Sequence, residues 1–142
     1  MAELVAVFCS GAFFGAALYI NAAQHPAALE AGAAFAIRFF SPMYRRAAPM
    51  QVALAVVGAL AGLWAWWGGA GSLWWIAALL LFSVIPVTLV WIQPVNDQLM
   101  APGRDPEAPD TVRLLRRWGS LHAARTILSG LGFVLMLAGV SR

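Results

Sequence analysis

The six residues Trp67–Ser72, WGGAGS, decide how this chain folds. They separate two long apolar runs, Ala47–Trp67 and Leu73–Ile92, and are too few to form anything but a tight hairpin. Outward from that hairpin lie two further apolar runs, Leu4–Ala23 and Leu121–Val140. A bilayer core is crossed by about 20 predominantly apolar residues in a helix, and each of the four runs meets that length. Of 142 residues, 62% are hydrophobic and only 11% are charged, whereas an ordinary soluble domain carries roughly 25% charged residues. The expectation is therefore all-α: one integral membrane domain over residues 1–142, an up-and-down four-helix bundle. Only Glu3 precedes the first run as a charged residue, and tyrosine, asparagine and histidine close it. It reads as a retained helix rather than a cleaved signal peptide.

The connections set the topology. Between the third and fourth spans, a polar loop over about 97–112 contains DQLMAPGRDPEAPD (Asp97–Asp110), whose three prolines oppose a continuous helix. Between the first and second spans, Pro26–Phe40 (PAALEAGAAFAIRFF) is helix-prone but too short to cross. A short interfacial helix is the preferred reading of it, with Pro26 in its first turn; an extension of the first span is the alternative. Ser41-Pro42 then resembles the start of the next helix. These two connections carry Arg38, Arg45, Arg46, Arg104, Arg113, Arg116 and Arg117, against Arg142 alone on the other side. Positive residues stay on the cytoplasmic side. The expected placement is thus a cell (inner or plasma) membrane, with both long connections cytoplasmic and both termini outside.

Several function classes fall away. The net charge is only +3, every basic residue is arginine, and the arginines lie between apolar runs instead of forming a basic stripe, so no nucleic-acid partner is expected. Cys9 is the single cysteine, and no zinc-type Cys/His spacing or dinucleotide-binding glycine pattern occurs. The pairs Gly11/Gly15 and Gly58/Gly62 have the spacing that lets membrane helices approach closely. They also leave monomer and homodimer both open. Trp64, Trp66, Trp67, Trp74 and Trp75 crowd the hairpin and suggest an interfacial aromatic belt.

Polar groups inside a membrane are costly, and each raises a functional question. Three sets stand out. In YINAAQHPA, Asn21 and His25 lie four apart and share a helix face with Phe14, with Cys9 roughly opposite. In QPVNDQL, Pro94 removes a backbone donor and bends or ends the third span, and Asn96 and Asp97 follow. In WGSLHAARTIL, Trp118, His122, Arg125 and Ser129 fall at i, i+4, i+7 and i+11, one face of the fourth helix. Arg125 lies deeper than the flanking arginines, and the spans offer it no carboxylate. Only Glu30 and Asp97, near the boundary, are candidate counter-ions. An arginine aimed at a cavity, water or an anionic group is the preferred reading. Arg45, Arg46 and Gln51 join from the start of the second span, Arg45 either at the site or as a topology determinant.

Taken in order, NxxxHPA (Asn21 to Ala27), Tyr44-Arg45 with Ala47, PxND (Pro94, Asn96, Asp97) and WxxLHxxRT from Trp118 resemble the anthrone oxygenase-like family of small membrane proteins, along essentially the whole chain. The resemblance implies oxygen-dependent chemistry on a flat, apolar, phenolic or anthrone- or quinol-type molecule, with dioxygen and membrane lipid as the other partners. It implies His122 or His25 as a base, histidine titrating nearest neutral pH. Arg125, with Asn21 or Asn96, would steady an oxyanion, Trp118 would form an apolar wall and Arg45 would bind substrate. No cofactor is expected on this reading. Two alternatives stay open: a non-catalytic quinone- or lipid-binding or structural protein, and a metal or haem protein ligated by His25 and His122, with Asn96 or Asp97 completing the shell.

Overall fold

The chain is described here by a computed structural model over residues 1–141. Arg142, the single arginine expected at the outer end, lies outside the described residues. Four helices carry the fold: α1 (Ala2–Glu30), α2 (Ala33–Trp67), α3 (Leu73–Leu99) and α4 (Pro109–Val140), each long and apolar enough to cross a membrane. Among the described residues there is no strand.

Why four such helices stay together follows from what each turns inward. Their outer surfaces are as apolar as their inner ones: Phe8, Leu60, Phe82, Leu89 and Ile127 are all exposed. A helix that is hydrophobic all round belongs in lipid, and the chain is a multi-pass membrane protein. The inner positions are instead small or closely fitted. Ala6, Ala17, Ala55 and Ala77 surround Phe13, Leu81, Trp74 and Met136 in one core at the hairpin end. A Cβ on Gly58 would lie 2.7 Å from Leu81 Cδ2 and 3.0 Å from Cys9 Cβ, and one on Gly62 would lie 3.1 Å from Met136. Gly11 likewise faces Phe133 at 2.9 Å, whereas Gly15 has nothing within 4 Å. Three of the four glycines thus act as close-approach points. Each helix packs on its sequence neighbour and α4 closes the ring on α1, while the diagonal pair α2 and α4 touch sparingly.

The structure departs from the sequence expectations at four places. There is no separate interfacial helix over 26–40: α1 runs on to Glu30 and α2 already begins at Ala33. The break falls at Gly32, whose φ of 103° and ψ of 153° suit glycine almost alone. Beyond it nothing stops the helix; Pro42 and Pro49 both lie inside α2. In an apolar surrounding the flanking backbone groups have no better partners than helical ones, so prolines are absorbed rather than helix-ending.

Pro26 and Pro94 are absorbed in a different way. Each is preceded by a π-helical turn, Ile20–Gln24 in α1 and Thr88–Ile92 in α3. The residue just before each proline bonds five residues back, His25 N–H to Ile20 O and Gln93 N–H to Thr88 O. Such turns let a helix continue past a missing donor while changing its angular register. Hence α3 is not ended at Pro94, and the 97–112 loop shrinks to a connection between Leu99 and Pro109, with Pro109 in the first turn of α4. Finally, Trp74 is not part of the belt. Trp64 and Trp67 are exposed, but Trp74 is fully buried against Gly139.

Candidate functional site

Helix α4 supplies the spine of the site. The face expected from spacing is the buried one: Trp118, His122, Arg125 and Ser129 all point inward. Ser129 Oγ returns to Arg125 O at 2.7 Å and so satisfies itself within the helix. The other three reach across to different neighbours.

From α1, Asn21 fits between two turns of α4. Its Nδ2 donates to Gly119 O at 3.0 Å, which fixes which end of the amide is oxygen. Its Oδ1 then accepts from Thr126 Oγ1 at 2.8 Å and lies 2.5 Å from His122 Nδ1. An amide oxygen only accepts, so Nδ1 of His122 carries a hydrogen, and in the neutral ring Nε2 carries the lone pair. His25, one turn on, takes a separate place. Its Nε2 donates to Leu115 O at 2.9 Å, and the ring fits against Gly119, where a Cβ would come within 2.8 Å. Both imidazoles pack on Trp118, with ring centroids 4.9 Å (His25) and 4.8 Å (His122) away.

From α3, Asn96 Oδ1 accepts the indole hydrogen of Trp118 at 2.8 Å. Gln93 Oε1 accepts from Tyr44 of α2 at 2.8 Å, and Gln93 Nε2 donates to Asp97 at 2.7 Å. The π turn ahead of Pro94 brings Gln93 and Asn96 to this side. Asp97 stays at the exposed rim.

Arg125 has the most unusual surroundings. It is 9% exposed, its Nη2 donates to Gln51 Oε1 of α2 at 2.7 Å, and its Cζ lies 5.3 Å from the centre of the Phe13 ring. No carboxylate reaches it. The ion pairs among the described residues are Arg104–Asp110 and Arg113–Asp110, both in or beside the α3–α4 connection. Arg125 Nε and Gln51 Nε2 are buried donors without a partner. A buried guanidinium without a counter-charge is costly, and two unused donors beside it favour an anionic or strongly accepting oxygen.

Space is present beside these side chains. A chamber of about 20 Å³ is lined by Tyr44, Gln51, Asn96, Trp118, His122 and Arg125. A cavity of about 100 Å³ shares Tyr44, Ala48, Gln51 and Arg125 with it and opens between α2 and α3. Four expected residues, Asn96, Trp118, His122 and Arg125, therefore line one chamber. Asn21 supports it from behind through His122. His25 does not face it; His25 lines a separate gap of about 10 Å³ that shares Trp118. Arg45 is a correction. It is exposed and donates to Ser41 Oγ at 2.9 Å, one turn back on the outer side of α2, which starts at Ala33, fourteen residues before the expected Ala47. Glu30 is exposed and pairs with nothing nearby, so neither suggested counter-ion serves Arg125.

Sequence reasoning missed Thr126, Tyr44 and Gln93 as site groups. Thr126 sits four residues after His122, a spacing that was available to find it. Tyr44 and Gln93 depend on the register of α2 and α3, which no local pattern reveals. As for metal, the described residues hold no cluster of three or more histidine, cysteine or acidic groups. His25 and His122 each commit one nitrogen as a donor and face different gaps.

A family model described as Anthrone oxygenase matches residues 40–135. That range contains every chamber-lining side chain of α2, α3 and α4 and leaves Asn21 and His25 outside. A protein named anthrone oxygenase tpcL, from Aspergillus fumigatus, is 36% identical over 78 residues, which is 53% of this chain and 48% of that protein. The chain thus spans about half the length of this curated relative. No solved structure matches.

Proposed function

The chain belongs to the anthrone oxygenase family, and from that membership we propose that it oxidises an apolar anthrone- or quinol-type molecule with dioxygen, using His122 as base and the Arg125–Gln51 pair to hold an oxyanion. The observation that carries this reading is the buried, carboxylate-free Arg125 lining one chamber with His122.

The chemistry needs little more. The methylene carbon of an anthrone is a carbon acid whose anion delocalises onto the carbonyl oxygen. His122 Nε2 takes the proton; the Arg125 and Gln51 side chains receive the oxygen, donors of this kind being most effective where water is excluded. The anion passes one electron to dioxygen, and the resulting radical and superoxide combine to a carbon-bound peroxide anion. Loss of the second methylene hydrogen with cleavage of the O–O bond leaves the new carbonyl and hydroxide. Hydroxide recovers the proton from His122 as water. The sum is one methylene plus one dioxygen giving one carbonyl plus one water, with no cofactor consumed.

Asn21 and Thr126 are positioning residues on this reading, because they hold His122 with Nε2 as the basic nitrogen. His25 is assigned a packing role against Trp118 and Gly119, and Trp118 the wall of the chamber. The arginines at the α1–α2 and α3–α4 ends support a cytoplasmic position for this end of the bundle.

Oxygen uptake with 1,8-dihydroxyanthrone in wild type and His122→Ala tests the proposal. A loss of at least tenfold in the variant is expected. Equal rates above the spontaneous background would remove His122 as the base, and saturable binding without uptake would favour a binding protein.

A further inference from the structure

The amides of α3 cannot turn end for end, and their fixed directions reach Tyr44. An indole nitrogen only donates, so Asn96 must present its oxygen to Trp118 Nε1 at 2.8 Å. Its Nδ2 end is thereby turned to Gln93 Oε1, a longer contact of 3.4 Å. A carboxylate only accepts, so Gln93 presents Nε2 to Asp97 Oδ1 at 2.7 Å. Two partners, one at either end of the Gln93 amide, therefore place its carbonyl oxygen where the Tyr44 hydroxyl meets it at 2.8 Å. That oxygen cannot donate. The single hydrogen of Tyr44 is committed to Gln93, and the phenol oxygen is left with its lone pairs.

This oxygen borders open space. Tyr44 and Gln93, which meet at the hydroxyl, both line the cavity of about 100 Å³. Tyr44 is half-buried and also lines the chamber that holds His122 and Arg125. Its ring is steadied by buried Phe40, 2° from parallel with centroids 6.1 Å apart, and Phe40 meets Trp118 edge-on at 5.2 Å. Among the described residues, no group donates to the Tyr44 oxygen.

Resting on the oxygenase reading, we infer that Tyr44 is a specificity-determining residue: its oxygen accepts the hydrogen of a ring hydroxyl, so that the site selects hydroxyarenes over arenes offering only carbonyl or ether oxygens. Arg125 and Gln51 suit an oxygen that accepts; Tyr44 suits one that donates. A carbonyl or ether oxygen set against Tyr44 would bring two lone pairs together with no hydrogen between them. A site arranged to bond a hydroxyl discriminates strongly against the analogue lacking it, because its own polar group is then left unpaired. Gln93 acts through Tyr44 as a positioning residue, and Asp97, exposed at the rim, supports Gln93 without touching the ligand.

The test compares 2-hydroxyanthraquinone, whose hydroxyl lies away from its own carbonyls, with the parent anthraquinone, which lacks the hydroxyl and adds no bulk. Both are equilibrated by dialysis with the full chain in lipid nanodiscs, in mildly acidic buffer that keeps the hydroxyl protonated, and binding is the saturable excess over empty nanodiscs. Wild type should prefer the hydroxyarene by about tenfold. Tyr44→Phe, which removes one oxygen and keeps the ring, should abolish that preference. Gln93→Leu should abolish it too, because the hydrogen of Tyr44 is then free to turn toward the ligand. Gln93→Glu, which still accepts from Tyr44, should keep it. A preference retained in Tyr44→Phe or in Gln93→Leu, or lost equally in Gln93→Glu, would overturn the inference, as would no saturable binding to wild type. The expected pattern without any oxygen uptake from 1,8-dihydroxyanthrone supports the role of Tyr44 and removes the oxygenase reading. Oxygen uptake together with a preference unchanged in Tyr44→Phe removes the role of Tyr44 and leaves the oxygenase reading standing.

Discussion

Asn21 Oδ1 and His122 Nδ1, 101 residues apart in sequence, face each other across 2.5 Å and join α1 to α4. The contact assigns the hydrogen of the imidazole, because the amide nitrogen of Asn21 is already committed to Gly119 O. Replacing Asn21 by Leu leaves the Nδ1 hydrogen and the Thr126 hydroxyl without that acceptor. A cost of about 1–3 kcal/mol follows for a buried donor left unpaired. Nitrogen-15 shifts of labelled histidine should report the Nδ1–H form for His122 in wild type and a mixture in Asn21→Leu. Oxygen uptake should fall with the Nδ1–H fraction; a retained Nδ1–H signal in the variant would show that Asn21 does not set it.

Arg125 should be a residue whose loss helps the fold and harms the function. Its guanidinium is buried with an amide, not a carboxylate, as partner. Desolvating a charge costs several kcal/mol in a protein interior, and an apolar side chain of similar length removes that cost. Thermal unfolding of Arg125→Met in detergent should therefore occur at or above the wild-type midpoint, with oxygen uptake and hydroxyarene binding lost. A lowered midpoint would mean that Arg125 is a structural strut.

Gly119 and His25 should be coupled. A methyl at position 119 would come 2.8 Å from His25 Cδ2 and 3.0 Å from Nε2. Overpacking of this kind costs about 1–3 kcal/mol. Gly119→Ala should be destabilised alone and relieved when combined with His25→Ala, a non-additivity that unfolding midpoints in a double-mutant cycle would measure. Simple addition of the two effects would show that the ring can move aside.

The positions of the two histidines lead to an expectation about metal. They face different gaps and each uses one nitrogen as a donor. Dialysis of the purified protein against a chelator should leave both the unfolding midpoint and any oxygen uptake unchanged. A drop in either, restored by one divalent metal, would revive the ligand role for His25 and His122.

Much of the molecule was legible in one dimension. Transfer into lipid depends on composition over about 20 residues, and a helix in lipid must satisfy its own backbone, so four apolar runs are enough to foretell four helices. The alignment of Trp118, His122, Arg125 and Ser129 was equally legible, because a straight helix repeats every 3.6 residues and α4 is uninterrupted there. Hydropathy does not register where a helix stops, so the break at Gly32 and the early start of α2 stayed hidden. The outward side of Arg45 follows from how α2 is rotated in the bundle. The π turns before Pro26 and Pro94 break the periodicity on which face arguments rest.

Which polar group meets which is settled by helix packing alone. That a histidine and an arginine share the polar face of the fourth helix is readable from its residues alone, since the helical period is a property of a single segment. That His122 is held by Asn21 while Arg125 is left with Gln51 and no carboxylate depends on how four helices rotate and slide against one another. Close-approach points such as Gly58, Gly62 and Gly119, together with the π turns, set those rotations.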